Sequence, residues 1–223
     1  MLPVWLRAVE AQSTDSLDLT VACFDDHSTD GTPDLLRDAG VTVLSEPAWR
    51  SPLSDVEAVE HCWSREAYAH MARMRNRLAE HAAGTGCDFV LTLDSDVILA
   101  DDQIGRLLEG VRPGEVVAPL VNVARRRHHI AWNYLFWVAD NLAVRPPPEG
   151  WLPFDGRYQV GVVCAAYLIP ADRMVRWVAF PQGEDVGWPA NARRAGLRLL
   201  VDTDIVCRHV MNPRPLDVPV PAG

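Results

Sequence analysis

The stretch Phe89-Val-Leu-Thr-Leu-Asp94-Ser-Asp96-Val97 decides how this chain is read. A short, mostly apolar run of strand-forming residues leads into two aspartates one residue apart. Along an extended chain, residues i and i+2 lie on the same side, so Asp94 and Asp96 can converge. At the carboxyl edge of a parallel α/β sheet, strand ends are where ligands bind. Two converging carboxylates repel each other and are costly to desolvate unless a cation compensates. Oxygen ligation of that kind suits Mg²⁺ or Mn²⁺, with phosphate oxygens completing the shell. The plainer alternative is a buried strand followed by an Asp-rich turn.

Working outward, strands and helices alternate. Residues 17–24 read as a strand, followed by a polar turn and a short helix over 33–38. Pro33 suits the first helical turn, where its missing N–H costs nothing. Residues 41–44 form a second strand. A long helix is expected over 55–83, with Val56, Val59, Trp63, Ala67, Met71, Met74 and Leu78 near helical spacing. Gly84 and Gly86 end it. After the 88–93 strand come a helix near 102–110 and a strand over 116–121. Regularity returns at 159–170, with helices after Ala171 and after Asp185 and a last strand over 199–207. The alternation predicts an α/β fold with a largely parallel sheet covered on both faces. One domain over residues 1–210 is expected, interrupted at 124–156 by an irregular insertion or lid and followed by a Pro-rich tail over 211–223. The opening segment, 1–12, reads as a helix with Leu2, Leu6 and Val9 on one face.

At 223 residues the chain suffices for one well-buried domain. A formal charge of −9 disfavours general nucleic-acid binding. No apolar run long enough to span a membrane and no signal-peptide pattern is visible, so the expectation is a soluble, cytoplasmic protein, with peripheral membrane association left open. The five cysteines, Cys23, Cys62, Cys87, Cys164 and Cys207, are scattered and support neither a disulfide framework nor a zinc site. Buried structural thiols are expected. All 21 basic residues are arginine. Without lysine, P-loop and Schiff-base chemistry are both excluded.

Four further elements accompany the aspartate pair. Phe24-Asp25-Asp26-His27-Ser28-Thr29-Asp30-Gly31-Thr32 follows a strand. Arg75-Asn76 lies late in the long helix. Gly183-Glu184-Asp185 opens a helix that ends in Arg193-Arg194-Ala195-Gly196, and Asp202-Thr-Asp204-Ile-Val-Cys207-Arg-His209 closes the domain. Taken in this order, the five resemble the GT-A fold glycosyltransferases, most closely family 2 of the nucleotide-diphospho-sugar transferase superfamily. The resemblance covers roughly residues 2–210. It implies a Rossmann-like, doubly wound, mostly parallel sheet. Such a sheet normally opens with a strand, so the first strand is expected to be missing at the N-terminus, either lying upstream of Met1 or dispensed with.

The resemblance also implies a role for each element. Asp25 and Asp26 would bind the base and ribose of a UDP- or GDP-sugar donor, a carboxylate making a short, charge-assisted bond to a base N–H. Otherwise they shape an Asx-turn with Ser28, Asp30 and Gly31. Arg75 would reach the base or the diphosphate, or else sit on a solvated helix face. Asp94 and Asp96 become the DxD motif, with Asp94 also on the donor side, and His209 a third ligand of Mn²⁺ or Mg²⁺. Asp185 is the candidate general base toward an acceptor hydroxyl, in an inverting transfer. Glu184 binds the acceptor or is itself the base. Acidic residues at a helix start are also favoured by the dipole alone, and Pro189 leaves open a helix that begins only at Trp188. Gly161, within Tyr158-Gln-Val-Gly161-Val-Val-Cys-Ala-Ala-Tyr167, would line the acceptor side. Trp132, Trp137 and Trp151 are candidates for stacking on a sugar ring, or are simply buried. Arg125, Arg126 and Arg127 would grip a diphosphate or an anionic acceptor, or form a solvated loop. The acceptor itself is not named by the sequence.

Two other readings compete. Asp94-Ser-Asp96 also resembles the nucleophile motif of haloacid-dehalogenase-type phosphatases. Against that stand the absent lysine, the late position of the motif, and the lack of any use for residues 25–32. A truncated, non-catalytic domain that binds nucleotide sugar is the other.

Overall fold

The computed structural model describes residues 1–12, 16–46, 63–121, 134–138, 143–145, 156–181 and 183–210. Helix α1 (Leu2–Glu10) leads to β1 (Ala22–Phe24), α2 (Thr32–Asp38) and β2 (Thr42–Leu44). Helix α3 (Arg65–Thr85), β3 (Phe89–Leu93), β4 (Val97–Ile98), α4 (Gln103–Glu109) and β5 (Glu115–Val121) follow. Next come β6 (Tyr134–Val138), β7 (Ala143–Arg145), β8 (Arg157–Gln159), β9 (Val162–Val163) and β10 (Ala166–Pro170). Helix α5 (Glu184–Arg194) and β11 (Arg198–His209) close the order.

The main sheet has the order β3-β10-β5-β11-β4, with β8 on β11. Strand β11 runs parallel to β5, while β10 is antiparallel to both β3 and β5. Strands β3, β5 and the first half of β11 therefore share one direction, with β10 reversed between them. Strand β5 is buried along its whole length, as its apolar Val116-Val-Ala-Pro-Leu-Val121 run requires at the sheet centre. Strand β3 differs from the expected buried strand. All of it is half-buried, because it pairs on one side only, with β10, among the described residues. Strands β1 and β2 form a separate parallel pair.

Several boundaries depart from the expectations for identifiable reasons. Only Ala22–Phe24 of the first expected strand is ladder-paired; Leu17 and Leu19 instead pack on a core cluster with Val97, Ile104 and Val121. Helix α3 starts at Arg65 because Ser64 caps it, its Oγ accepting from the Ala67 N–H at 3.2 Å. Trp63 precedes the helix, while Val56 and Val59 lie outside the described residues. After Ala171 there is only a 3-10 turn, Ala171–Arg173. The backbone beyond it is held by side chains: Asn76 bonds both the N–H and the C=O of Trp177 at 2.9 Å, Trp188 donates to the Val175 carbonyl, and Asn191 to that of Arg176. Backbone groups so engaged cannot build a helix.

Within the segment expected to be irregular, β6 and β7 pair as an antiparallel ladder, and β6 also pairs with β9. Of the cysteines, Cys207 is buried and Cys23 and Cys164 are half-buried, but Cys87 is exposed, contrary to the expectation of buried thiols. Cys62, like the tail over 211–223, lies outside the described residues. No helix among the described residues is long and apolar enough to cross a membrane.

Candidate functional site

The site lies where β3 ends. Asp94 leaves the strand with its N–H bonded to the Ala165 carbonyl at 2.8 Å, and the Val97 N–H returns to the Asp94 carbonyl at 3.0 Å, so Asp94 to Val97 form a tight turn. Ala165 has a positive φ of 67°, an uncommon conformation for a residue with a side chain. It sits in the link that turns β9 into β10 beside the aspartates.

Behind this turn stands Arg75 of α3. Its Nη2 lies 3.0 Å from Asp94 and 3.6 Å from Asp185, and its Nε 3.6 Å from Glu184. With the side chain only 13 % exposed, this arginine is neither a solvated helix residue nor free to reach outward. Burial works against its charge, but Asp94, Asp185 and Glu184 together outweigh that and raise its pKa. Beneath the cluster Tyr167 and Trp188 pack with ring centroids 4.8 Å apart, and Trp177 stacks on Trp188 at 5.4 Å. Such an apolar floor strengthens every electrostatic contact above it.

Glu184 and Asp185 are the first residues of α5, which begins at Glu184 and not at Trp188. Gly183 makes this start possible, with φ 118°, a conformation that glycine reaches without strain. Pro189 falls inside the helix, where it lacks the N–H that would bond the Asp185 carbonyl. The two carboxylates are not equivalent. The Glu184 side chain is 4 % exposed, and burial together with Asp185 pushes its carboxyl up to about 8 against the pull of Arg75. Asp185 is 36 % exposed, with one face open, while its Oδ1 is buried and lacks a hydrogen-bond partner among the described residues. Burial raises its pKa too, Arg75 opposing and Asp94 adding.

The second aspartate turns elsewhere. Strand β11 pairs antiparallel with β4, setting His209 opposite Val97, and the Val210 N–H bonds the Asp96 carbonyl at 2.7 Å. That register brings His209 Nε2 to 3.1 Å from Asp96 Oδ2. The expected trio is thus split: Asp96 faces His209, and Asp94 faces Arg75. No group of three or more metal-ligating side chains occurs among the described residues. A carboxylate and an imidazole side by side, with a second carboxylate two residues away, still suit a divalent cation that takes its remaining ligands from a diphosphate.

At the end of β1, Asp25 is buried and accepts from the Ser28 N–H at 3.3 Å, and Asp30 accepts from the Thr32 N–H at 3.1 Å. These are the Asx-type contacts of a shaped loop. Asp26 instead meets His70 of α3. Gly161 is buried between β8 and β9 and makes none of the described contacts of Asp94, Arg75, Glu184 or Asp185. Trp137 lies in β6, opposite Val144. Trp132, Trp151 and Arg125 to Arg127 lie outside the described residues.

Two residues were missed by reading the sequence. His70 is completely buried and anchors Asp26; within the apolar spacing of α3 it carries no local signal. Cys164 borders the charge cluster, its thiol pushed well above its usual pKa by burial, then by Asp185 and Asp94.

No family model matches the chain. Over 130 residues it is 32 % identical to the "probable inactive glycosyltransferase 25 family member 3" of Bos taurus, covering 54 % of this chain and 21 % of that protein. The human "inactive glycosyltransferase 25 family member 3" is 29 % identical over 129 residues. The matched segment spans about a fifth of the length of these relatives. Among solved structures, the mannosyltransferase PcManGT from Pyrobaculum calidifontis, in complex with GDP-Man and Mn²⁺, superposes with a TM-score of 0.59 at 16 % identity, covering 96 % of this chain and 55 % of that one. GalNAc-T7 with UDP, GalNAc and Mn²⁺ gives 0.60 at 12 % identity, covering 92 % and 40 %. TarS of S. aureus gives 0.58 at 13 % identity, covering 94 % and 34 %. The chain has the GT-A glycosyltransferase fold.

Proposed function

We propose that this chain is a metal-dependent glycosyltransferase that moves a sugar from a nucleoside-diphosphate sugar to an acceptor hydroxyl, with inversion. The observation that carries the reading is the single Arg75 nitrogen that lies within 3.0 Å of Asp94 and 3.6 Å of Asp185. It links the strand-end carboxylate of the donor side to a half-open carboxylate at a helix start. Asp185 is the general base. Its open face can meet an acceptor hydroxyl, and burial of the rest makes it more basic, which suits proton abstraction. Glu184 is too enclosed for that role and keeps a proton at neutral pH. The acceptor oxygen attacks the anomeric carbon, its proton passes to Asp185, and the bond to the diphosphate breaks with its electron pair on the leaving group. Asp96 and His209, with Asp94 beside them, would hold Mn²⁺ or Mg²⁺, which when bound supplies charge to neutralise the departing diphosphate. Asp26 would take the base of the donor and Asp25 would hold the loop. Gly161 and the segment bearing Trp132 and Trp137 would line the acceptor side.

A second reading has one specific support: the matched relatives are described as inactive. On that reading the domain binds nucleotide sugar without turnover. Calorimetric titration of UDP, GDP and their sugar conjugates, with and without Mn²⁺, tests the donor site. Binding of one nucleotide that needs Mn²⁺ and is lost in Asp96→Ala is expected; no binding of any nucleotide would sink both readings. Turnover of the bound donor sugar, measured by release of nucleoside diphosphate, then separates them. If it falls on the order of a hundredfold or more in Asp185→Asn while the donor Kd stays put, the enzyme reading stands. Equal release by both proteins favours the binding domain.

A further inference from the structure

Asp26, to which the reading above gives the base of the donor, is held by His70, a residue that reading leaves without a role. His70 is 0 % exposed, and its Nε2 lies 2.8 Å from Asp26 Oδ2. A carboxylate oxygen only accepts, so Nε2 carries the proton in this contact. The other oxygen, Asp26 Oδ1, is buried and has no hydrogen-bond partner among the described residues. Nδ1 of His27, at 3.8 Å from it, is beyond hydrogen-bond reach. A buried carboxylate oxygen without a donor is unfavourable until a ligand N–H fills the place. The pair is also rigidly mounted, since His70 stands one turn inside α3, a long helix capped by Ser64.

We propose that His70 is a positioning residue that makes Asp26 select uracil over guanine as the base of the donor. The proposal rests on the reading above, in which residues after β1 hold that base. With Oδ2 engaged by His70, Asp26 offers one free oxygen. Uracil presents one N–H on its pairing edge, flanked by two carbonyls, and one oxygen satisfies it. Guanine presents two N–H groups side by side, which match a carboxylate with both oxygens free. Here one of those N–H groups would be left without its acceptor on leaving water, and such unmatched polar groups discriminate strongly between ligands.

The test is calorimetric titration of UDP and of GDP, with Mn²⁺ present, into the wild type and the variants His70→Gln, His70→Phe and Asp26→Asn. The wild type is expected to bind UDP about tenfold tighter than GDP or better, a modest discrimination for one matched hydrogen bond. His70→Gln, which can still donate an N–H from a similar position, keeps the preference. His70→Phe keeps the bulk, loses the donor and frees Oδ2, so the UDP-to-GDP ratio falls to within about threefold. A purely structural His70 would weaken both nucleotides alike and leave the ratio unchanged, and that result overturns the proposal. Equal or tighter GDP binding by the wild type overturns it as well. Should His70→Phe not fold, Asp26→Asn decides: an undiminished UDP preference there overturns the proposal while leaving the donor site standing. Binding of neither nucleotide by the wild type removes the proposal and the underlying reading together.

Discussion

At Arg75 one guanidinium faces three carboxylates, and they cannot all be ionised cheaply in a site this enclosed. Glu184 takes the consequence, its carboxyl pushed from 4.5 up to about 8 by burial and by Asp185. The folded protein therefore holds a proton that the unfolded chain releases, and stability falls as pH rises from about 4.5 to about 8. Glu184→Gln removes the titration and keeps the shape. Thermal melts of the metal-free protein are expected to show a wild-type Tm that declines across this window and a variant that declines less. The variant should be the more stable at pH 8 by up to about 4 kcal/mol, given about 1.4 kcal/mol per tenfold change in proton affinity. Parallel curves would mean that Glu184 is ionised throughout. The carboxylates of this cluster were legible in the sequence, because short motifs at strand ends and helix starts carry them. Their partner was not: Arg75 read as a donor ligand or a surface residue, since nothing local shows that α3 turns it inward. His70 was invisible for the same reason.

Helix α5 is the element that carries the proposed base, and its seat depends on a residue without a side chain. A Cβ on Gly187 would lie 2.1 Å from the Val178 carbonyl oxygen and 3.0 Å from Val178 Cγ2. Gly187→Ala therefore forces α5 away from the 174–181 segment, and overpacking of this kind destabilises by about 1–3 kcal/mol. Because Asp185 lies two residues before Gly187, the shift should also reach the site. A lowered denaturation midpoint accompanied by lost donor turnover is the expected result; an unchanged midpoint would show that the segment yields freely. The sequence made α5 visible and set Gly183-Glu184-Asp185 at its opening, but Pro189, which suits a first turn, left a start at Trp188 open; the proline sits mid-helix instead. The helix expected after Ala171 failed for a tertiary reason. Asn76, Trp188 and Asn191 take the backbone groups it needed. Propensity reports what a segment would do alone, and here neighbours from α3 and α5 decide.

Across the whole molecule the sheet is built unevenly. Strand β5 is wholly buried, with β11 parallel beside it and β10 antiparallel on its other side. The alternation of strands and helices made this α/β plan legible, but not the reversal of β10, since direction is a matter of connection and leaves no mark on a strand's own residues. Strands β1 and β2 are only three residues each, half-buried or exposed, and paired only with each other among the described residues. Yet β1 ends at Asp25 and Asp26, so the least braced ladder carries the proposed base site, while the strongest carries the core. Local opening should follow that division, with few buried contacts meaning a low opening free energy. Native-state hydrogen exchange is expected to give the slowest amides in β5 and the first half of β11, and much faster ones in β1 and β2. Adding UDP with Mn²⁺ should then slow exchange at β1, through residues 25–32 and in the turn from Asp94 to Val97, while β5 hardly changes. Protection confined to the Asp94 turn would mean that the nucleotide is held by its diphosphate alone, and would take the base site away from Asp26.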